Sequence, residues 1–585
     1  MDFLKQNIPV VRCMVDGDSH GTDVEQIWQG SCCHSRIINR SDQGIDLKEV
    51  VLFHGAMPFD AHTPIYGEAY NKLSQYGGTI GDIKAIGSFD EVTHYRLPQS
   101  QGYSIIYNML ACFPEGEDAV LMGFTSCHRF VGQFRVNKDH FEIVLDLEGI
   151  TIEAGESLPL ESFYADSGDH QALLEAFAHH ITANHPMPKT TEVPTGWCSW
   201  LVYGPDITAK AIDDNMQAIK QKGLDLKYIQ IDDGYQAYMG DWLTETDKFD
   251  GGMKELCLKI KGEGFEPAVW VAPFIAEGGS ELFTNHPDWF IKDDDGKPLA
   301  SDTVTFGGWR CGPWYMLDGT HPEARAHLTH VFKVMREEWR VTYFKLDAIL
   351  WGALPFGHHH LPNKTSVEAF RMGMEAIREG AGEGSFLLGC NAPMWPSIGA
   401  VNGMRITNDN NRSWAIFRQL ARECFPRNWQ HGRLWVNDPD TVLLQNHMTN
   451  IMGPDAQFVN NKVAVTADEF MLNAAYTLAS GGMALSSDDI TTLQTENVEI
   501  MKRLLPPLGK AAVFTDRSYA VGEISMDGYD LLCLFNYEDE SSTVTHPVGR
   551  SKQVVDFWSG DAVPLSGDAL QLTLPPHSAR VFKIK

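Results

Sequence analysis

Cysteine pairing is the first thing this chain lacks: its 11 cysteines include no C-x-x-C, their number is odd, and the adjacent Cys32 and Cys33 make a poor disulfide. That argues against a disulfide framework and for a reducing compartment. No uncharged stretch is long enough to span a membrane, and Met1 to Val10 has an early acid and no long apolar segment of the signal-peptide kind. The expectation is a cytoplasmic protein that does not bind membranes. Basic charge is scarce as well. With 47 Lys and Arg against 77 Asp and Glu, the formal net charge of −30 disfavours nucleic acid and anionic membrane surfaces as partners. No G-x-G-x-x-G follows a predicted strand, and there is neither a nucleophile elbow nor an H-E-x-x-H. His358, His359 and His360 are consecutive in a loop, with no second ligand cluster at zinc spacing, so they are expected to form a solvated loop.

What is there in excess is aromatic: 15 Trp within 11% aromatic residues, which suits the binding of sugars or apolar rings. The texture along the chain divides it into three. Residues 1–187 show short alternating runs such as Val120 to Thr125, Arg129 to Val136 and Phe141 to Asp146, separated by Gly, Asn and Asp turns. This predicts an N-terminal β-sandwich, closed by a helix from Asp169 to Ala183 and a Pro-marked linker.

Residues 188–504 alternate strands with helices, the mark of a parallel sheet. Eight candidate strands run Gly196 to Trp200, Leu226 to Asp232, Pro267 to Pro273, Tyr343 to Asp347, Phe386 to Cys390, Gly403 to Thr407, Leu434 to Asn437 and Met483 to Ser486. Eight such strands predict a closed (β/α)8 barrel. Helical patterns fill the gaps, as at Asp206 to Gln221, Pro322 to Trp339, Thr365 to Arg378, Ser413 to Cys424 and Thr466 to Ala479. The long insertion between the third and fourth strands holds Trp289, Trp309, Trp314 and Tyr315, an aromatic wall or lid. Residues 505–585 return to strands and turns, a small C-terminal antiparallel β-domain.

The stretch Thr342 to Leu350 is an apolar run that carries Lys345 and Asp347 on one face with Tyr343. An unpartnered carboxylate in a core would cost several kcal/mol, so Asp347 belongs in a polar pocket or at a strand end. Taken alone, the stretch also fits a structural Lys–Asp pair. Barrel active sites collect at the C-terminal ends of strands, and there the other strands supply Asp232 and Asp233, Cys390 and Asn391, Arg405 with Asp409, and Asn437 with Asp438, beside Trp200 and Trp270. Acids with two indoles are a carbohydrate-site composition. Two carboxylates suffice for glycosidic hydrolysis, one as nucleophile kept ionised by a cation and one as acid/base. Asp347, one step from Lys345, and Asp409, four positions after Arg405, are the candidates. The acids could instead hold a divalent cation, but Lys345 and Arg405 already supply positive charge, so no metal and no cofactor are expected.

The runs Gly196 to Trp200, Gln230 to Tyr235, Gly240 to Trp242, Trp270 to Phe274, His286 to Trp289, Tyr343 to Asp347, Leu388 to Cys390, Gly403 to Arg405 with Asp409, and Trp435 to Asp440 resemble, in order, the bacterial and archaeal α-galactosidases of glycoside hydrolase family thirty-six. The resemblance implies a β-sandwich, a (β/α)8 barrel and a C-terminal β-domain, a retaining mechanism and an α-galactoside substrate. It makes Asp347 the nucleophile and Asp409 the acid/base. Asp232 and Asp233 would bind O4 and O6, Lys345 the neighbouring hydroxyls and Trp270 the ring edge; Arg405 would pair with the sugar or with Asp409, and Trp200 would border the site. Cys390 and Asn391 would face C2, with Asn391 where Gly is common. An α-N-acetylgalactosaminidase, a galactosyl transferase of raffinose-synthase type and a non-catalytic sugar-binding protein share the scaffold.

Overall fold

The computed structural model describes residues 2–14, 21–446, 464–514, 516–549 and 552–585. Two antiparallel sheets, of five and nine strands, fill the N-terminal part. Strand Cys32–Asn39 shows why: its side chains alternate between core and solvent, as a strand with one covered face must. The two sheets meet through aromatic rings, Phe53 on Phe163 (centroids 5.1 Å) and Phe124 on Phe134 (6.0 Å). Gly132 lies beneath that layer, where a Cβ would fall 1.9 Å from the Phe124 ring.

The eight predicted strands form one parallel sheet. They are β1 (Thr195–Cys198), β2 (Tyr228–Ile231), β3 (Glu266–Val271), β4 (Tyr343–Leu346), β5 (Phe386–Gly389), β6 (Gly403–Arg405), β7 (Val436–Asp438) and β8 (Ala484–Ser486). From β1 to β7 each strand pairs with the next, and β8 pairs with β1, so the sheet curls into a nearly closed barrel. The seam between β7 and β8 is narrowed by Met483 N–H donating to Asn437 O at 2.9 Å. Gly482 permits it, since a Cβ there would lie 2.0 Å from the same oxygen.

The barrel interior is filled from the bottom. Tyr343 of β4 packs edge-on against Tyr228 and Phe386, both at 5.3 Å, in a buried apolar layer with Cys198, Ala268, Val436 and Leu485. Two residues up the same face stands Lys345 and two further Asp347, so the period-two alternation of one strand runs from apolar plug to polar mouth. The surrounding helices are bounded by ordinary caps. Thr365 and Thr466 each close a capping box with a Glu three residues on, starting Ser366–Ala381 and Ala467–Ser480. Asp206, placed by periodicity in a helix, instead sits in a 3-10 turn behind Pro205, and the helix starts after N-cap Thr208.

The C-terminal strands form a five-stranded antiparallel sheet and a separate two-stranded one. The N-terminal sandwich is bonded to the barrel: Trp395 Nε1 donates to Phe124 O at 2.7 Å, and Arg427 forms a fully buried pair with Glu68 at 2.8 Å. Among the described residues, no helix is long and apolar enough to cross a membrane.

Candidate active site

A cavity of about 440 Å³ opens at the C-terminal mouth of the barrel, within the size range of small-molecule sites. Trp200, Asp232, Asp233, Trp270, Lys345, Asp347, Cys390, Asn391 and Asp409 all line it, and Arg405 stands behind Asp409.

Asp347 follows the last residue of β4. Its Oδ2 accepts from Trp270 Nε1 at 3.0 Å and its Oδ1 from the Ala348 N–H at 2.8 Å, a turn that Ala348 makes with φ at +51°. The cation expected to accompany it is elsewhere. Lys345 Nζ donates to Asp232 Oδ2 at 2.9 Å, so its charge serves the acid at the end of β2 while Asp347 relies on neutral donors. Both members of the Lys345–Asp232 pair are almost wholly buried, and the facing register of β2, β3 and β4 is what brings them together.

Asp232 and Asp233 are both heavily bonded. Asp232 accepts from Lys345, Gln230 (2.8 Å), Cys198 and the Asp233 N–H (3.0 Å). Asp233 accepts twice from Arg310 and once from Gln236 at 2.6 Å. A carboxylate has about four lone-pair sites. Among the described residues, Asp233 keeps one of them free, on Oδ2, and Asp232 keeps one on Oδ1.

Asp409 reaches the cavity from the loop after β6. Arg405 Nη1 donates to its Oδ1 at 3.0 Å and Trp200 Nε1 to its Oδ2 at 3.3 Å, so Trp200 does more than border the site. Arg405 also binds Asp438, the last residue of β7, at 3.0 Å and Asp440, two residues on, at 2.8 Å. Burial works to raise Asp409, but Arg405, Lys72 and Lys345 together with the Trp200 hydrogen bond hold it below its usual range. Asp440 goes the other way, pushed up to about 6 by burial and by the neighbouring acids Asp409 and Asp438, against Arg405.

One wall comes from the sandwich and from the insertion after β3. His94 is stacked between Phe89 (4.2 Å) and Phe306 (3.9 Å), and burial lowers its pKa to about 4, so it presents a neutral ring. Tyr95 donates its hydroxyl to Asn391 Oδ1 at 2.9 Å. Asn391 itself has φ at +43°, a left-handed position that Asn and Gly tolerate better than other residues. Of the insertion's aromatics, Trp309 lines the cavity, Trp314 is buried edge-on behind it at 4.6 Å, and Trp289 stacks on His286 instead. The histidine loop is less solvated than expected: His359 is paired with the buried Asp318 at 3.1 Å, whereas His358 meets the exposed Asp294.

Sequence reading missed Lys72, His94, Tyr95 and Arg310 because no periodic motif marks a residue that enters a barrel from another sheet or a loop. Asp440 carried a signal, as the last member of the Asn-Asp-Pro-Asp run that ends β7.

Comparison with known proteins agrees with this arrangement. The family model described as Melibiase matches residues 177–364. The chain resembles the α-galactosidases of glycoside hydrolase family thirty-six. The bifunctional alpha-galactosidase/sucrose kinase AgaSK of Mediterraneibacter gnavus is 23% identical over 239 residues, covering 39% of this chain and 24% of the relative. The A type blood alpha-D-galactosamine galactosaminidase of Flavonifractor plautii is 24% identical over 315 residues, 49% of this chain and 28% of the relative. The matches thus span between a fifth and a third of the length of these curated relatives. The crystal structure of the family thirty-six alpha-galactosidase AgaA from Geobacillus stearothermophilus superposes with a TM-score of 0.63 over 97% of this chain and 82% of that one, at 13% identity, a likeness of fold.

Proposed function

We propose that this protein is a retaining, exo-acting α-galactosidase that removes terminal α-linked galactose by double displacement. The observation that carries the reading is the pair of carboxylates in one cavity, Asp347 after β4 and Asp409 after β6, each held by hydrogen bonds to an indole. In this reading Asp347 attacks the anomeric carbon and Asp409 protonates the leaving oxygen, then deprotonates the water that releases the sugar. Arg405, Lys72 and Lys345 favour the base form of Asp409, which suits the second step. The first step needs the acid form, which burial favours against those cations. The single free lone pairs on Asp232 and Asp233 take O4 and O6, which selects galacto over gluco configuration because a sugar with an equatorial O4 cannot place both hydroxyls there and leaves a buried acceptor unpaired. The cavity is walled by the sandwich on one side and by Phe306 and Trp309 on another, which suits a chain end.

The test is a screen of nitrophenyl α-glycosides with the product anomer followed by NMR. The expected result is hydrolysis of the galactoside, with α-galactose appearing first. Preference for the glucoside removes the role given to Asp232 and Asp233, and β-galactose as first product removes the retaining mechanism.

A further inference from the structure

Lys72 belongs to the N-terminal sandwich, yet its side chain, 2% exposed, lines the barrel's cavity. Its main chain is fixed from both sides. The Lys72 N–H donates to Ala392 O at 3.1 Å just past β5, and its carbonyl accepts from Arg427, the partner of Glu68. Glu91 holds the preceding residue by accepting from the Asn71 N–H at 2.9 Å. A lysine head carries three donors. One of them goes to Thr407 O at 2.7 Å, and among the described residues no carboxylate pairs with it. Buried donors without acceptors are rare and costly, so the two remaining N–H groups call for oxygen atoms from the cavity.

The position of Lys72 says which oxygen. Thr407 follows β6, and the Lys72 charge acts on both Asp409 after β6 and Cys390 after β5. Asp232 and Asp233 close β2, four strands away around the barrel. With O4 and O6 held at β2 and the leaving oxygen at Asp409, the ring carbon that faces β5 and β6 beside the anomeric centre is C2.

We propose that Lys72 is a specificity residue whose free N–H donors bind the oxygen at C2 of the galactosyl ring, selecting a hydroxyl there and rejecting a 2-amino sugar. A hydroxyl offers lone pairs, whereas a protonated amine offers none and brings a second positive charge to the first. The proposal rests on the galactosidase reading above. It assigns to the sandwich a direct part in choosing the substrate.

The test is a cycle of two enzymes and two substrates: wild type and Lys72→Met, each with nitrophenyl α-galactoside and its 2-deoxy analogue. Intrinsic reactivity of the deoxy sugar cancels when the two kcat/KM ratios are compared. A hydrogen bond to a charged donor makes the 2-hydroxy preference of the wild type about tenfold to a hundredfold larger than that of Lys72→Met. Equal ratios in a variant that melts like the wild type overturn the proposal. Inhibition of the wild type decides the matter should Lys72→Met not fold. Galactosamine, held at a pH where its amine is protonated, is expected to inhibit at least tenfold more weakly than galactose, and equal inhibition overturns the proposal. A wild type that cleaves no α-galactoside and binds no galactose overturns the galactosidase reading, and this proposal with it.

Discussion

Asp409 and Asp440 are joined through one side chain: Arg405 contacts Asp409 with Nη1 at 3.0 Å and Asp440 with Nη2 at 2.8 Å, while its Nε binds Asp438 at 3.0 Å. Three carboxylates around one guanidinium leave excess negative charge, and the proton that relieves it goes first to buried Asp440, whose pKa is pushed up to about 6. Below about pH 6 Asp440 therefore holds a proton, and above it its charge joins those of Asp409 and Asp438 around Arg405. Asp440→Asn fixes the neutral state at every pH, so the change that wild-type kcat/KM makes as Asp440 ionises near pH 6 is expected to vanish from the variant's profile. A variant that keeps that change would show that the group titrating there is not Asp440.

Asp347→Ala should abolish hydrolysis, and added azide should give β-galactosyl azide. Trp270 Nε1 and the Ala348 N–H, which bind the carboxylate at 3.0 and 2.8 Å, remain to hold a small anion on the face it vacates. An α-azide product would exchange the roles of Asp347 and Asp409.

The barrel was legible because its strands are short, mainly apolar runs that end in polar residues and alternate with helical patterns. The residues delivered by those strand ends, Asp232, Asp347, Cys390 and Asp409, all reach the cavity. Pairing was not legible. Lys345 and Asp347 share a face of one strand, but Lys345 pairs across the barrel with Asp232, because register between strands is a tertiary property that spacing along one strand cannot carry. Arg310 lies in an irregular loop between Gly308 and Gly312, with no periodicity to say that it would turn in to Asp233.

Asn391→Gly should widen the C2 side. Gly suits φ at +43°, and loss of the amide makes room for a larger substituent, so nitrophenyl α-N-acetylgalactosaminide should gain about tenfold or more in kcat/KM relative to the galactoside. The change also strands the buried Tyr95 hydroxyl, at a cost of about 1–3 kcal/mol. Adding Tyr95→Phe is expected to recover part of that stability without reversing the selectivity. No gain on the N-acetyl sugar would take Asn391 away from C2.

Glu91 links the pH dependence of stability to the cavity wall. It is 1% exposed, accepts from the Asn71 N–H at 2.9 Å, from Asn71 Nδ2 at 3.1 Å and from Tyr76 at 3.1 Å, and lies in the turn that carries His94 and Tyr95. Burial is the largest influence on it and lifts its pKa to about 7 despite these hydrogen bonds. Because the folded chain holds this proton more tightly than the unfolded chain does, the stability due to the protonated group is complete below the unfolded value of 4.5 and is lost as pH rises through about 7. Above that the ionised group costs on the order of 3 kcal/mol, at about 1.4 kcal/mol per unit. Glu91→Gln keeps an acceptor for Asn71 and a partner for the Tyr76 hydroxyl but never ionises. Melting curves of the two proteins should therefore nearly coincide at pH 5, with the variant melting higher at pH 8. A variant that falls further behind as the pH rises would show that the folded wall needs the carboxylate charged.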